Sequence, residues 1–173
     1  GMVEMGGNGS DRLRKKKTFL AQVDVNYRKR ALQTHLKSVP VFHGLSDDFV
    51  HKLQDRVELI RYSPGQVITR QGDLADSFYL VRIGFVKVSE DHPKGELVLN
   101  YLGRCGYFGE IGLLGMGSGG RRTATCSALD HVEVVRIGAE DFHRMVDAFP
   151  DVKRSLEAVA AQHLEQNLQR LAR

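Results

Sequence analysis

The spacing of apolar residues changes twice along the chain and divides it into three parts. From Arg12 to Lys37 the apolar positions mostly recur every three to five residues, as on one face of a helix. From Val57 to Ile137 they form short runs rich in β-branched and aromatic residues, separated by turn formers such as Pro64-Gly65. After Gly138 the helical spacing returns. The pattern predicts helices, then a β-rich unit, then helices again.

Six candidate strand segments lie in the β-rich unit at intervals of roughly 8 to 12 residues, which is typical of an antiparallel sandwich or barrel. They read VELIRY, QVITR, SFYLVRIGFVKVS, ELVLNYL, TATCSA and VEVVRI. Before them, Pro40 breaks the first helical pattern, and Ser46 is a candidate N-cap for a short helix. The predicted fold class is α+β and mainly β: an antiparallel, jelly-roll-like β-roll with helices before and after it.

Two helices are predicted after the β-roll. AEDFHRMVDAF predicts a short helix, Pro150 interrupts it, and a longer helix follows from Asp151 to Arg173. We expect a loose leader over residues 1–10, because it is polar and rich in glycine, and a basic helical arm over residues 11–38. The remaining residues, 39–173, form the predicted domain, with the β-roll at about 57–137 and the C-terminal helices at about 139–172.

Positive charge is concentrated in the basic arm. Residues 11–37 contain nine Lys or Arg against two Asp, a net charge of +7, whereas the whole chain carries +4. Such an arm is either a solvated helix face or a contact for nucleic acid, anionic lipid or an acidic protein. Aromatic residues do not alternate with the basic ones, so no direct contact with nucleic acid is expected.

Cellular location is predicted from two weaker signals. No run of residues approaches the roughly 18 to 20 apolar positions that a membrane-spanning helix needs. Cys105 and Cys126 lack the spacing of a disulfide framework or a metal site, so we expect free thiols in a reducing compartment. The cytoplasm is the expected location.

The segment YFGEIGLLGMGSGGRRTAT, Tyr107 to Thr125, is the candidate binding site. GEIGLL predicts one turn of helix whose first N–H groups can meet an anion. Gly109 and Gly112 allow a close approach to the backbone, and Arg122 can offer a phosphate two parallel N–H bonds. Glu110 would be repelled by phosphate and suits a ribose hydroxyl instead. The ligand predicted from these residues is a ribose with an attached phosphate.

The same segment resembles the cyclic-nucleotide-binding domain family, found in kinase regulatory subunits, cyclic-nucleotide-gated channels and catabolite-activator regulators. FGEIGLL followed by RRTAT is similar to the family's phosphate-binding cassette, and SPGQVITRQGDLADSFYLVRIGFVKV to its opening strands. VPVFHGLS is similar to its lead-in helices, and FPDVKRSLEAVAAQHL to its hinge and lid helix. The resemblance extends from about Leu36 to Leu171.

The resemblance implies a role for each site residue. Glu110 would hold the ribose hydroxyl and Arg122 the cyclic phosphate, which agrees with the assignment from chemistry. The implied ligand-binding residues are Leu102, Gly109, Glu110, Ile111, Gly112, Arg122, Thr123 and Ala124. By similarity to channels, His163 and Asn167 of the lid helix would cover the base, because residues four apart share one helix face.

Two features depart from kinase-like members of the family. The glycine-rich loop from Gly115 to Gly120 is longer, and is expected to be mobile or to reach a partner. Thr123 stands where cAMP-dependent kinases have alanine, and its hydroxyl can bond a phosphate oxygen or a guanine amino group. Both cAMP and cGMP therefore remain candidate ligands. Arg121 is expected to point to solvent.

The function implied is that of a non-catalytic sensor whose C-terminal helix transmits ligand binding to an effector protein or domain; a homo-oligomer is left open. The alternatives are a regulator related to catabolite-activator transcription factors without its DNA-binding module, a cupin-like metal enzyme, and a degenerate domain used only for protein contact. The metal enzyme has little support, because the seven histidines are scattered without ligand spacing. A degenerate domain is expected to lack Glu110 or Arg122, and both are present.

Overall fold

The computed structural model describes residues 2–117 and 119–172. Helix α1 (Met2–Ser38) leads through a 3-10 turn (Pro40–Phe42) to helix α2 (Asp47–Leu53), which Ser46 caps by accepting a hydrogen bond from the N–H of Phe49.

Eight strands follow, with helix α3 (Glu110–Leu113) between the sixth and seventh, and helices α4 (Ala139–Ala148) and α5 (Pro150–Leu171) come last. The strands are β1 (Glu58–Tyr62), β2 (Val67–Thr69), β3 (Ser77–Ile83), β4 (Val86–His92), β5 (Gly95–Leu102), β6 (Tyr107–Phe108), β7 (Thr125–Ala128) and β8 (Val132–Gly138).

The strands form two four-stranded antiparallel sheets. One sheet has the order β1-β8-β3-β6 and the other the order β2-β7-β4-β5. The predicted antiparallel β-roll with flanking helices is confirmed. The long segment SFYLVRIGFVKVS folds as β3 and β4, which are joined at Gly84 with a φ of +80°. A Cβ at Gly84 would lie 2.2 Å from the carbonyl oxygen of His131, so this turn accepts only glycine.

Strand β3 is apolar on both faces, and the two faces pack into different cores. Phe78 and Leu80 belong to the core between the first sheet and the helices, whereas Tyr79 and Val81 belong to the core between the two sheets. This alternation follows from the two-residue period of a strand. The helices complete the first core with the buried side chains of Leu32, Leu36, Phe142, Met145, Val152 and Leu156.

The N-terminal region differs from the expectation in one respect. A single helix, α1, runs through both the predicted leader (residues 1–10) and the predicted arm (11–38); Gly1 lies outside the described residues. The division of the chain into leader, arm and binding domain at residues 10 and 38 stays a prediction. Near its C-terminal end α1 packs on the β-roll through the buried side chains of Leu32, His35 and Leu36. No helix within residues 2–117 and 119–172 has both the length and the hydropathy to cross a membrane.

A buried carboxylate fastens α1 to the first sheet. Glu133 on β8 is only 2% exposed and accepts hydrogen bonds from Arg61 on β1 (2.9 Å), Arg82 on β3 (2.7 Å) and the hydroxyl of Tyr27 on α1 (3.0 Å). The guanidinium of Arg82 also lies over the Tyr27 ring, 4.6 Å from its centroid. Burial raises the pKa of Glu133, but the hydrogen bonds from Arg61, Tyr27 and Arg82 outweigh it, so the pKa lies below its ordinary value.

Replacing Glu133 with alanine is expected to lower the free energy of unfolding by about 2–4 kcal/mol, because it leaves Arg82 and Tyr27 without their buried acceptor. Urea unfolding at pH 7 measures the loss. The control is Glu58→Ala, which removes an exposed carboxylate paired with Arg136 and should cost less than about 1 kcal/mol. Similar losses for both variants would contradict the role given to the Glu133 cluster.

Candidate functional site

A cavity of about 270 Å³ lies between the second sheet, the segment around α3 and the C-terminal half of α5. All ten residues predicted for the site line it, from the β-roll as well as from the lid helix: Leu102, Gly109, Glu110, Ile111, Gly112, Arg122, Thr123, Ala124, His163 and Asn167. The cavity therefore brings together residues that are more than 60 positions apart in sequence. Their role in binding a ligand stays a prediction.

Glycine is required at the start of α3 by the packing of the chain itself. Gly109 has a φ of +94°, and a Cβ there would lie 2.7 Å from Nη1 of Arg122 and 2.8 Å from the carbonyl oxygen of Ser77. A Cβ at Gly112 would lie 2.6 Å from the side chain of Ala75. Both glycines thus let α3 pack against the segment that enters β3, in addition to leaving its backbone open to the cavity.

Arg122 is a buried cation, only 5% exposed, and much of its guanidinium is bonded within the protein. Its Nη1 donates to the carbonyl oxygens of Ser77 (2.9 Å) and Gly109 (3.2 Å), and its Nη2 donates to Oδ1 of Asp76 (3.1 Å). The prediction that Arg122 offers two parallel N–H bonds to a phosphate stays a prediction. The structure shows that Arg122 also joins the start of α3 to the start of β3.

Glu110 is a buried acid with an unsatisfied oxygen. It is 4% exposed, and its Oε2 has no hydrogen-bond partner among the described residues. Burial raises the pKa of Glu110 to about 7, against the lowering effects of a backbone hydrogen bond and of Arg122. A buried acceptor of this kind costs stability unless something donates to it, so the cavity is suited to a ligand that carries a hydroxyl group.

Asp76 is an exposed carboxylate that forms ion pairs with two arginines, one of which is Arg122. Its carboxylate contacts Arg122 at 3.1 Å and Arg136 at 3.6 Å. Burial raises the pKa of Asp76, yet the hydrogen bond from Ser77 and the two nearby arginines bring it below the ordinary value. Asp76 is therefore ionised at neutral pH and balances part of the positive charge of Arg122.

The glycine-rich loop lies against the cavity at Gly117. A Cβ there would lie 2.8 Å from Cγ2 of Thr123, 3.6 Å from Cγ2 of Ile111 and 3.7 Å from Cδ2 of Leu164 on α5. This part of the loop thus lies between two predicted binding residues and the lid helix. Arg121, expected to point to solvent, is exposed, and it donates from Nη1 to the carbonyl oxygen of Gly72 (2.9 Å).

Helix α5 has two halves with different surroundings. Val152, Leu156 and Ala160 are buried in the helical core, whereas residues 161–171 are exposed or half-buried. Four of these outer residues line the cavity: His163, Gln166, Asn167 and Arg170. Arg170 donates a hydrogen bond to the carbonyl oxygen of Leu99 on β5, which ties the end of the helix to the second sheet.

Several lining residues were not predicted from the sequence. Gln166 and Arg170 join His163 and Asn167 on the lid helix, and Leu99 and Asn100 come from β5. The spacing of His163, Asn167 and Arg170, four and three residues apart, marks one helix face and could have identified Arg170. Asn100 has no such signal, because strand alternation alone does not show where a cavity lies.

Metal ligation has no support in the described part of the chain: within residues 2–117 and 119–172, no three His, Cys, Asp or Glu side chains are grouped so that they could hold an ion. Cys126 lines the cavity as a free thiol, and burial raises its pKa to about 12.

The chain is similar in sequence to proteins of one known family. Residues 59–149 match the profile of the cyclic nucleotide-binding domain. The chain is 33% identical over 135 residues to a cAMP-dependent protein kinase regulatory subunit of Debaryomyces hansenii, covering 78% of this chain and 28% of that protein. It is 34% identical over 137 residues to the human cyclic nucleotide-gated channel alpha-2, covering 73% and 20%. The chain thus spans less than a third of either relative.

A solved structure shows the same architecture. The catabolite activator protein of Thermus thermophilus superposes with a TM-score of 0.63 at 32% identity, covering 77% of this chain and 62% of that one.

Substituting Gly109 with alanine is expected to lower the free energy of unfolding by more than about 2 kcal/mol. The new methyl group would combine an unfavourable positive φ with collisions at Arg122 and Ser77. The matched control is Gly115→Ala, which has a φ of +71° but no atom within 4 Å of the added Cβ and should cost about 1 kcal/mol. Denaturant unfolding of both variants measures the difference, and equal losses would show that Gly109 is needed only for its backbone conformation.

Proposed function

The chain belongs to the cyclic nucleotide-binding domain family, and we propose that it is a non-catalytic sensor in which a cyclic nucleotide monophosphate occupies the cavity beneath α5. The observation that carries the proposal is the pairing, in one cavity, of Glu110 with an unsatisfied buried oxygen and Arg122 with a buried positive charge. A ribose hydroxyl supplies the missing donor, and a phosphate supplies the anion.

Each group in the cavity has a distinct task in this proposal. Glu110 accepts a hydrogen bond from the ribose hydroxyl, and Arg122 attracts the cyclic phosphate. Ile111, Gly112 and Ala124 form the wall beside the sugar and phosphate. Leu102 lies on one side of the base, and His163 and Asn167 of α5 cover it on the other. Such a cover removes water from an aromatic surface and strengthens the polar contacts beneath it.

Thr123 is the residue in the cavity that bears on which base is bound. Its half-buried side chain lies in the cavity, and its hydroxyl can serve either a phosphate oxygen or a guanine amino group. We propose cAMP and cGMP as the two candidate ligands. Calorimetric titration of the chain with each one tests the proposal directly, and heat changes that fit no binding to either nucleotide would overturn it.

Contacts between α3, α4 and α5 offer a route from the cavity to the output helix. The ring of His143 on α4 contacts the carbonyl oxygen of Leu113, the last residue of α3, through Nε2 at 2.9 Å. Phe149 separates α4 from α5 and packs edge-on against Phe49 of α2, with ring centroids 5.1 Å apart. A displacement of α3 on ligand binding would therefore reach the joint between the last two helices.

Signal transmission requires that the ligand bind one helix arrangement better than another, because only a difference in affinity shifts a two-state equilibrium. The lid residues of α5 supply that difference, since they contact the ligand only when the helix covers the cavity. We propose that the moving helices act on an effector protein or domain. The basic residues of α1 are the second surface available for such a partner.

Changing Arg122 to alanine is expected to weaken cyclic nucleotide binding by about 2–4 kcal/mol, because the phosphate loses a charged, buried partner. Calorimetry with the tighter-binding nucleotide measures the loss. Because Arg122 also bonds Ser77 and Gly109, the variant should lose stability, so unfolding is followed in parallel and binding is measured where the variant is folded. Arg122→Lys, which keeps the charge, should recover part of the affinity.

Arg121→Ala is the control for this experiment, since Arg121 is exposed and donates a hydrogen bond to the carbonyl of Gly72, outside the cavity lining. We expect its affinity to stay within about 0.5 kcal/mol of the unchanged chain. An Arg122→Ala variant that binds as well as the unchanged chain would refute the assignment of the phosphate site.

Removing the outer half of α5 is expected to weaken nucleotide binding by about 1–3 kcal/mol while leaving the β-roll folded. The deletion starts at Gln162, so it keeps the buried residues Val152, Leu156 and Ala160 and removes all lid residues of the cavity. Deleting only Ala172 and Arg173 is the control and should leave the affinity unchanged. Full affinity in the longer deletion would show that α5 does not contact the ligand.

A further inference from the structure

Glu110 has a property that the assignment of a ribose contact does not use. It is buried at 4% exposure, and no protein group donates to its Oε2 among the described residues. Arg122, whose charge acts on Glu110, bonds instead to Ser77, Gly109 and Asp76 through its two Nη atoms. Burial therefore disfavours the charged form of Glu110, and no ion pair offsets that cost.

We propose that nucleotide binding in this cavity releases a proton from Glu110, so that the affinity for the nucleotide rises with pH across the neutral range. The inference rests on the proposed function, since it takes the ribose hydroxyl as the donor to Glu110. It adds a regulatory property to the same site: the intracavity acid makes the sensor respond to proton concentration as well as to nucleotide concentration.

In the protein without a ligand, burial explains why Glu110 holds a proton near neutral pH. Desolvation raises its pKa to about 7, so roughly half of the molecules carry the neutral acid at that pH. A hydroxyl that donates to Oε2 changes this balance, because a hydrogen bond to the charged form lowers the pKa of a carboxyl group. Hydrogen bonds to a carboxylate are also stronger than those to a neutral acid.

The other charged and titratable groups around the cavity do not reverse the predicted rise of nucleotide affinity with pH. Burial raises the pKa values of Tyr107 and Cys126 to about 12, so both keep their protons throughout the neutral range. Asp76 stays ionised beside Arg122. The anionic phosphate of the ligand works against a negative charge on Glu110, and Arg122, whose charge Asp76 offsets in part, reduces that effect. The direct hydrogen bond from the ribose hydroxyl to Glu110 sets the direction of the pKa change. Arg170 of the lid is a further basic residue in the lining.

His163 on the lid also lines the cavity, and an imidazole is the side chain whose charge most often changes near neutral pH. A protonated imidazole attracts an anionic ligand, so its effect would strengthen binding as the pH falls, opposite to the effect of Glu110. The direction of the pH dependence therefore distinguishes the two residues, and a His163→Gln variant removes the imidazole from the measurement.

The experiment is calorimetric titration of the chain with its tighter-binding nucleotide, cAMP or cGMP, at pH 6, 7 and 8 and constant ionic strength. Each titration is repeated in two buffers of different ionisation enthalpy, which counts the protons released. The expected result is an affinity about tenfold weaker at pH 6 than at pH 8, with about one proton released at pH 6 and almost none at pH 8. His163→Gln removes part of the cover over the base, so its affinity should fall at every pH, but the rise of affinity from pH 6 to pH 8 should be at least as steep.

Two further measurements test whether Glu110 causes the change of nucleotide affinity with pH. Glu110→Gln, which cannot ionise, should bind with nearly equal affinity at the three pH values, provided that circular dichroism shows it folded. The 2′-deoxy nucleotide should show a flatter slope with the unchanged chain, which needs no variant at all. Wild-type affinity that is constant or falls with rising pH, or an unchanged slope in Glu110→Gln, overturns the inference and leaves the proposed function standing. Absence of nucleotide binding at every pH overturns both.

Discussion

The guanidinium of Arg122 connects the parts of the fold on which the cavity depends. A buried cation costs several kcal/mol unless it is paired and its N–H groups are satisfied. Here the acceptors are the carbonyls of Ser77 and Gly109 and the carboxylate of Asp76, so the start of β3 and the start of α3 are held at fixed positions. The backbone strengthens the connection, because Arg122 exchanges hydrogen bonds with Asp73 and Gly72. The segment around α3 is thereby attached to β3, a strand with side chains buried in both cores.

Much of the fold follows from local periodicity. The strands and the helices after Gly138 have clear patterns in the sequence, and the structure has antiparallel sheets and helices at these places. Strand β6 was not predicted because two residues between glycines are too few to show a period. The leader was expected to be loose because glycine disfavours helices, yet α1 runs through it.

Part of the candidate site could be predicted from the sequence because Gly109, Glu110 and Arg122 lie in one short segment and have side chains of recognisable chemistry. It was less predictable where the partners are distant in sequence. The bond from Arg122 to Ser77 spans 45 residues, and that from Tyr27 to Glu133 spans 106. Glu133 itself lies in a strand where alternation suggests an exposed acid, and only the tertiary contacts explain its burial. The unsatisfied oxygen of Glu110 likewise becomes visible only when its surroundings are known.

The two halves of α5 differ in how readily they can open. The helix is anchored in the core through Val152, Leu156 and Ala160, whereas its outer half is fastened to the second sheet by the bond from Arg170 to Leu99. Local opening of the outer half breaks few buried contacts and leaves the core intact, so it can occur far more often than global unfolding. In the proposed function, the rate at which a nucleotide enters and leaves the cavity would therefore be set by fraying of a few helical turns, and backbone amides beyond Ala160 should exchange with solvent faster than those before it.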